Sequence, residues 1–94
     1  MQIAKLIGNI WATRKEATLT GMKLLIVQPI DILQDDEPIG TPIVAADMIG
    51  AGMGETVIIV TGSTARVATG TAEASVDATV VGIVDDKEFD AELL

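Results

Sequence analysis

Three glycines at alternate positions, Gly50, Gly52 and Gly54, come closest in this sequence to the spacing of a phosphate-binding loop. A Walker loop requires a lysine after its last glycine and a helix behind it, but Glu55 occupies that position here. A dinucleotide fingerprint has a different glycine spacing and also opens a helix, whereas residues 56–61 are apolar and β-branched like a strand. We therefore interpret the three glycines as a tight turn between strands, because glycine accepts positive φ angles.

The remaining side chains offer little catalytic chemistry. The 94 residues include no histidine and no cysteine, which removes the usual general base, thiol nucleophile and zinc ligands. Ser63 has only Arg66 nearby in sequence, and a guanidinium group cannot accept a proton. Gly62 and Ser63 are instead predicted to form a turn in which Ser63 caps a helix. We predict a protein that is not an enzyme, with no catalytic residue, metal ligand or cofactor site.

Charge and composition exclude several classes of partner. The formal net charge is −8, and lysine and arginine together number 6 against 14 aspartates and glutamates. Nucleic acid and anionic membrane surfaces both attract basic proteins, so neither is an expected partner. The aromatic fraction of 2% also leaves too few rings for stacking on single strands. The first residues lack the long apolar stretch of a signal peptide, which predicts a cytoplasmic protein.

The apolar pattern predicts five short strands, at residues 3–13, 22–27, 43–46, 56–61 and 78–84. A helix over residues 64–68, ended by Gly70, is expected between the fourth and fifth strands. Gly8 predicts a sharp bend or bulge in the first strand, and Pro29 is expected to close the second. Residues 31–42 have the composition of a solvated loop. The predicted fold class is all-β: a small five-stranded Greek-key barrel formed by one domain, residues 1–94.

The last residues, 86–94, form an acidic tail. Phe89, Leu93 and Leu94 have the spacing of a short amphipathic helix. We expect this tail to pack either on the barrel or on a neighbouring chain, through Phe89 and Leu93.

Self-association is the natural way to cover the aliphatic surface of so small a chain, of which 49% is hydrophobic. The second strand is apolar on both faces, and a single small barrel can bury only one of them. Leu25 and Val27 are assigned to the face that meets a neighbour, and Trp11 and Arg66 are further interface candidates. Two alternatives stay open: Trp11 could instead cover the end of the barrel, and Arg66 could pair with a nearby carboxylate.

Three segments together resemble a known family. They are AKLIGNIWATRKEATLTGMKLLIVQPID, AADMIGAGMGETVIIVTGSTAR and VDATVVGIVD, which occur in the order found in the vertex proteins of bacterial microcompartment shells, the EutN/CcmL family. The resemblance extends over residues 1–85. Its aspartate–glycine turn matches Asp47 and the three glycines that follow it.

The resemblance implies a barrel of the oligonucleotide-binding type that assembles into a homopentameric ring. Such rings are expected at the vertices of a polyhedral protein shell in the bacterial cytoplasm. The implied partners are copies of the chain itself, hexameric facet proteins of the shell and the encapsulated enzymes, with no cofactor. The alternative from another class is a barrel module that binds a small ligand or peptide at its mouth.

Overall fold

The computed structural model describes residues 1–12, 15, 17–19, 21–70 and 76–94. Its strands and single α-helix follow one another as β1 (Gln2–Ile10), β2 (Lys23–Asp31), β3 (Glu37–Pro38), β4 (Ile43–Asp47), β5 (Thr56–Thr61), α1 (Ser63–Ala68) and β6 (Ala78–Val84). Single turns of 3-10 helix lie at Ala17–Leu19 and Ala91–Leu93. Within these described ranges, no helix has the length and apolarity that a bilayer crossing requires.

Five of the strands close into a barrel. Their order is β1-β5-β6-β4-β2, and β1 pairs with β2 to complete the circle. All neighbours are antiparallel except β4 and β6, which pair in parallel through Ala46 and Asp47. This is the arrangement of a five-stranded Greek-key barrel of the oligonucleotide-binding type, with α1 inserted between β5 and β6. The predicted fold class is confirmed.

Two β-bulges bend the strands so that the sheet can close. In β1, the register shifts between Leu6 and Gly8, so that Ile7 has no partner on β2. In β6, Gly82 lies opposite Ile58 and the register then shifts. A bulge adds one residue to one strand and increases its local twist and bend, which a small barrel needs. The expected irregularity at Gly8 is confirmed.

The core consists of aliphatic side chains that point into the barrel. The fully buried ones include Leu6, Leu25, Val27, Ile59 and Val80, each 0–1% exposed. Burying one such side chain stabilises the fold by about 1.5–3 kcal/mol relative to leaving it in water. The inside of the barrel contains neither aromatic residue.

The second strand is longer than predicted. It passes through Pro29 and continues to Asp31, where it pairs with the two-residue strand β3. The carbonyl of Pro29 accepts a hydrogen bond from the backbone N–H of Ile39 at 2.9 Å. The ladder between β2 and β4 has already ended at Val27, so a missing N–H at position 29 breaks no pair with β4. Residues 31–42 therefore begin as a hairpin and are not an open loop.

The first strand ends at Ile10 and is therefore shorter than the predicted range of 3–13. The last residue of that range, residue 13, lies outside the described ranges. The third predicted strand corresponds to β4, which includes one more residue than expected. The fourth and fifth predicted strands correspond to β5 and β6, and both have the predicted limits.

Candidate functional site

The turn after β4 is organised by the carboxylate of Asp47. Its Oδ1 accepts hydrogen bonds from the backbone N–H groups of Ile49 and Gly50, each at 3.0 Å, and its Oδ2 accepts one from Ala51 at 3.1 Å. The side chain of Asp47 is 1% exposed. The amide groups of this turn thus bind a carboxylate of the same chain, and the turn is a structural element rather than an open anion site.

The three glycines differ in backbone conformation and in what a side chain at each position would contact. Gly50 and Gly54 have φ angles of 87° and 84°, a region that residues with a Cβ rarely adopt. Gly52 has no positive φ, and a Cβ there would lie 2.9 Å from Oε1 of Glu55, so the flexible Glu55 side chain would have to shift. The N–H of Gly52 donates to that same oxygen. Glu55, which occupies the position of the Walker lysine, therefore stabilises this turn by accepting a hydrogen bond from its backbone.

The helix begins one residue earlier than expected. Gly62 is its N-cap, with φ 69° and ψ −146°, and Ser63 is its first residue, without a side-chain capping bond. The prediction that Ser63 caps the helix is therefore wrong. The physical reason is the backbone at position 62, because that pair of dihedral angles is accessible chiefly to glycine.

A buried hydroxyl that the sequence analysis missed attaches this helix to the barrel. Oγ1 of Thr79 in β6 donates to the carbonyl of Ala65 at 2.8 Å, and both residues are 0% exposed. The only signal in the sequence is a polar residue within the otherwise apolar strand 78–84.

The interface candidates on β2 lie on the wrong face. Leu25 and Val27 are each 0% exposed in the single chain, so neither has surface left to offer a neighbour. The outward residues of the strand are Leu24 and Ile26, and Ile26 pairs with Val44 on β4, which is 47% exposed. The assignment of Leu25 and Val27 to a subunit contact is therefore wrong, and the partly exposed face of β2 is the one that contains Leu24 and Ile26.

Arg66 lies on α1 and is half-buried. Among the described residues, the ion pairs are Lys23 with Asp47 at 3.9 Å and Lys87 with Asp36 at 3.0 Å, and neither includes Arg66. The suggested pairing of Arg66 with a carboxylate is thus not among these contacts. Its role at an interface stays a prediction.

Trp11 lies outside the barrel and is 87% exposed. It borders a groove of about 460 Å³ at the C-terminal end of β1, which Lys15, Lys23 and Leu24 also line. Trp11 does not cover the barrel end, and its remaining predicted role is contact with another chain.

A second and larger groove, of about 760 Å³, opens at the N-terminal end of β1. Its wall is mainly apolar, with Ile3, Pro29, Ile39 and Ile43, and Asp77 is its charged member. Further large apolar side chains are exposed elsewhere on the described surface: Ile7, Met48, Ile49, Met53 and Val67. An exposed apolar surface of this extent on a small chain is typical of a protein that contacts other proteins.

Within the described part of the chain, no group of three aspartates and glutamates is close enough to hold a metal ion. The fold and its surfaces define a small β-barrel subunit whose outer side chains are suited to contacts with other protein chains.

The family model described as "Ethanolamine utilisation protein EutN/carboxysome" matches residues 1–85. The carboxysome shell vertex protein CcmL of Synechocystis is 44% identical over 85 residues, which cover 90% of this chain and 83% of that protein. The chain belongs to the EutN/CcmL family.

Solved structures of relatives have the same fold. The structure of CcmL from Gloeobacter violaceus superposes with a TM-score of 0.87 at 38% identity and covers 97% of this chain and 92% of its own. The pentameric microcompartment shell protein GrpN from Rhodospirillum rubrum superposes with a TM-score of 0.84 at 40% identity, over 96% of this chain and 100% of its own.

Proposed function

We propose that the protein is a non-catalytic structural subunit that assembles into a pentameric ring and occupies the vertices of a bacterial microcompartment shell in the cytoplasm. The observation that carries the proposal is the likeness to the pentameric shell protein GrpN, which is 40% identical and extends over 96% of this chain. The named relatives of known role are shell vertex proteins. A structural role accordingly follows from family membership.

The outer surface supports a ring physically. The pair formed by Ile26 and Val44 lies on the outside of the barrel, and we assign it to the contact between neighbouring subunits. A contact between two different patches of the same chain repeats around a circle, and it closes when its rotation divides a full turn. A five-fold unit then supplies the curvature that a flat sheet of hexagonal proteins lacks.

The partners in this role are hexameric facet proteins of the shell, which the ring joins at its rim, and the enzymes inside. Each chain carries a net charge of −8, so a ring of five carries −40. A rim of this sign favours positively charged facet edges, and such contacts weaken as salt screens them. Assembly of complete shells is therefore expected to be salt-sensitive.

Co-assembly with facet proteins tests the role directly. The chain is co-expressed with hexameric facet proteins of a bacterial microcompartment shell, and the particles are imaged by electron cryomicroscopy. The proposal predicts closed polyhedra with density of this chain at five-fold positions, and open sheets or tubes when the chain is left out. Closed particles of equal number and shape without the chain would contradict the proposal.

The larger groove favours a second candidate function, a barrel module that binds a small ligand or peptide. Its volume of about 760 Å³ lies within the range of ligand sites. Saturable binding of a ligand to the monomer, abolished by Ile39→Glu in the groove wall, would support this alternative. If the chain forms rings and no ligand binds to it in the same assay, the ligand-binding alternative is excluded.

A further inference from the structure

The acidic tail, residues 86–94, is anchored near one end of β1. After Val84 the β6 strand ends, and Nζ of Lys87 pairs with Oδ1 of Asp36 at 3.0 Å. Asp36 lies in the turn between β2 and β3, which is at the C-terminal end of β2. Because β1 and β2 are antiparallel, this turn lies beside the N-terminal end of β1.

Beyond Lys87 the tail carries two kinds of side chain in alternation. Apolar residues alternate with acids along the sequence Glu88, Phe89, Asp90, Ala91, Glu92 and Leu93. Phe89 is 46% exposed and Leu93 is 84% exposed, so both keep apolar surface that another chain can contact. The contact of the tail with a neighbouring chain therefore stays a prediction, and the exposed parts of Phe89 and Leu93 are the apolar surface available for it.

A groove of opposite charge lies at the other end of β1. We call it the basic groove; its described lining includes Asn9, Trp11, Lys15, Met22, Lys23 and Leu24, and none of the described residues that line it is acidic. Among the hydrogen bonds of the described residues, Nζ of Lys15 makes one, which it donates to the exposed carbonyl of Ala12 at 3.0 Å. The side chain of Lys23 is 55% exposed and lies 3.9 Å from Asp47, a weak pair that leaves it open to a further carboxylate. Trp11 adds an exposed apolar surface beside the two cations.

The larger groove at the N-terminal end of β1 does not fit the tail as well. It is larger and more apolar, but the charged residue in its wall is Asp77. A segment with acids at every second position would be repelled there and attracted by Lys15 and Lys23. The charges of the two grooves therefore favour the basic groove as the docking site of the acidic tail.

The tail does not reach the basic groove of its own chain while Lys87 stays paired with Asp36 and Ala91–Leu93 keep their turn of 3-10 helix, which rises only about 2 Å per residue. The seven residue steps from Ile3, next to the anchored tail, to Ile10, in the basic groove, span about 23 Å at roughly 3.3 Å per residue. The tail leaves the barrel at the end remote from the groove. A second copy is therefore the occupant that the geometry favours.

We propose that the acidic tail of one subunit docks into the basic groove of the next. Phe89 or Leu93 packs against Trp11, and the acids of the tail face Lys15 and Lys23. A tail at one end of the molecule and its complement at the other form a head-to-tail contact, which can repeat around a closed ring. This inference rests on the proposed function, because it requires neighbours in a ring.

Cysteine cross-linking tests the contact, since the chain has no cysteine of its own. A Trp11→Cys chain is mixed with an isotope-labelled Leu93→Cys chain under subunit exchange, and mixed disulfides are counted by mass spectrometry. The matched control replaces Trp11→Cys by Ile39→Cys, in the wall of the larger groove, where the exposed fraction is 52%. We expect the Trp11 pair to form about tenfold faster or more, because docking raises the local concentration. Equal rates, or a faster control, would overturn the proposal.

A charge swap supplies the second readout. Lys15→Glu should slow the cross-link, Lys15→Arg should not, and the triple change Glu88→Lys, Asp90→Lys, Glu92→Lys should restore the rate in the Lys15→Glu background. The native mass of the unaltered chain separates the two claims. A ring of five without the Trp11 cross-link overturns only the docking of the tail, whereas a chain that stays monomeric overturns both proposals.

Discussion

Ile26 of β2 lies directly across Gly8 of β1, so that a Cβ built on Gly8 would be 3.2 Å from Cδ1 of Ile26. The corresponding pair in the other bulge, Gly82 and Ile58, leaves slightly more room, with 3.4 Å between the built Cβ and Cδ1. Both glycines let an outward isoleucine lie flat over a neighbouring strand.

The two glycines provide a matched pair of substitutions. Gly8→Ala should lower the free energy of unfolding by about 1 kcal/mol more than Gly82→Ala, because only the first places a methyl group inside the ordinary contact distance. Urea unfolding of both variants measures the difference. In the Gly8→Ala background, Ile26→Val should cost less than in the original chain, since it removes Cδ1. Equal effects at the two glycines would contradict this account of the bulge.

Asp47 is predicted to be the most important side chain of the glycine turn. Asp47→Ala leaves three backbone N–H groups without their carboxylate and should destabilise the fold by about 2–3 kcal/mol, as expected for hydrogen bonds to a charged group. The control is Lys23→Met, which within one chain removes only the ion pair at 3.9 Å and should lower the free energy of unfolding of the isolated barrel by less than about 0.5 kcal/mol. A larger loss from Lys23→Met than from Asp47→Ala would show that the ion pair, and not the turn, matters.

Thr79 should stabilise the junction between α1 and β6 through its hydroxyl group. Thr79→Val preserves the shape but removes the donor to the carbonyl of Ala65, and the expected loss is about 1–3 kcal/mol for a buried acceptor without a partner. Thr79→Ser retains the hydroxyl and should retain more of the stability than Thr79→Val. Thermal unfolding followed by circular dichroism compares the two, and equal or reversed losses would exclude the hydrogen bond as the cause.

The outward face of β2 and β4 is predicted to be part of the subunit contact. Val44→Glu places a charge where the neighbouring chain is expected, which should dissociate the ring while the isolated barrel stays folded, because Val44 is 47% exposed in the single chain. Ile39→Glu is the matched control at 52% exposure, in the wall of the larger groove. Size-exclusion chromatography with light scattering reads the mass of both variants. If rings persist with Val44→Glu but dissociate with Ile39→Glu, the subunit contact lies at the larger groove and not on the outward face of β2 and β4.

Much of the fold follows from the local pattern of the sequence. The limits of β5 and β6, the turn glycines and the helix between them agree with the residue types alone, because β-branched runs between glycines have few alternatives. Pro29 misled the prediction, since a proline is tolerated where the ladder to the next strand has ended, and ladder ends are a property of the whole sheet.

The inward face of β2 is the other place where local reasoning failed. Leu24 to Val27 are apolar at every position, so the two-residue period of a strand does not distinguish inside from outside. The choice is made by pairing with β1, whose bulge at Ile7 shifts the register. The basic groove could not be predicted from the local sequence either. Trp11 and Lys23 come together only when β1 and β2 pair.

The central claim is that copies of this chain close into a ring of five. Native mass spectrometry of the purified full chain at micromolar concentration tests it most directly. With a subunit mass of 9.8 kDa, the account predicts one dominant species of about 49 kDa. A dominant monomer of 9.8 kDa, or a closed ring with another number of subunits, would contradict it.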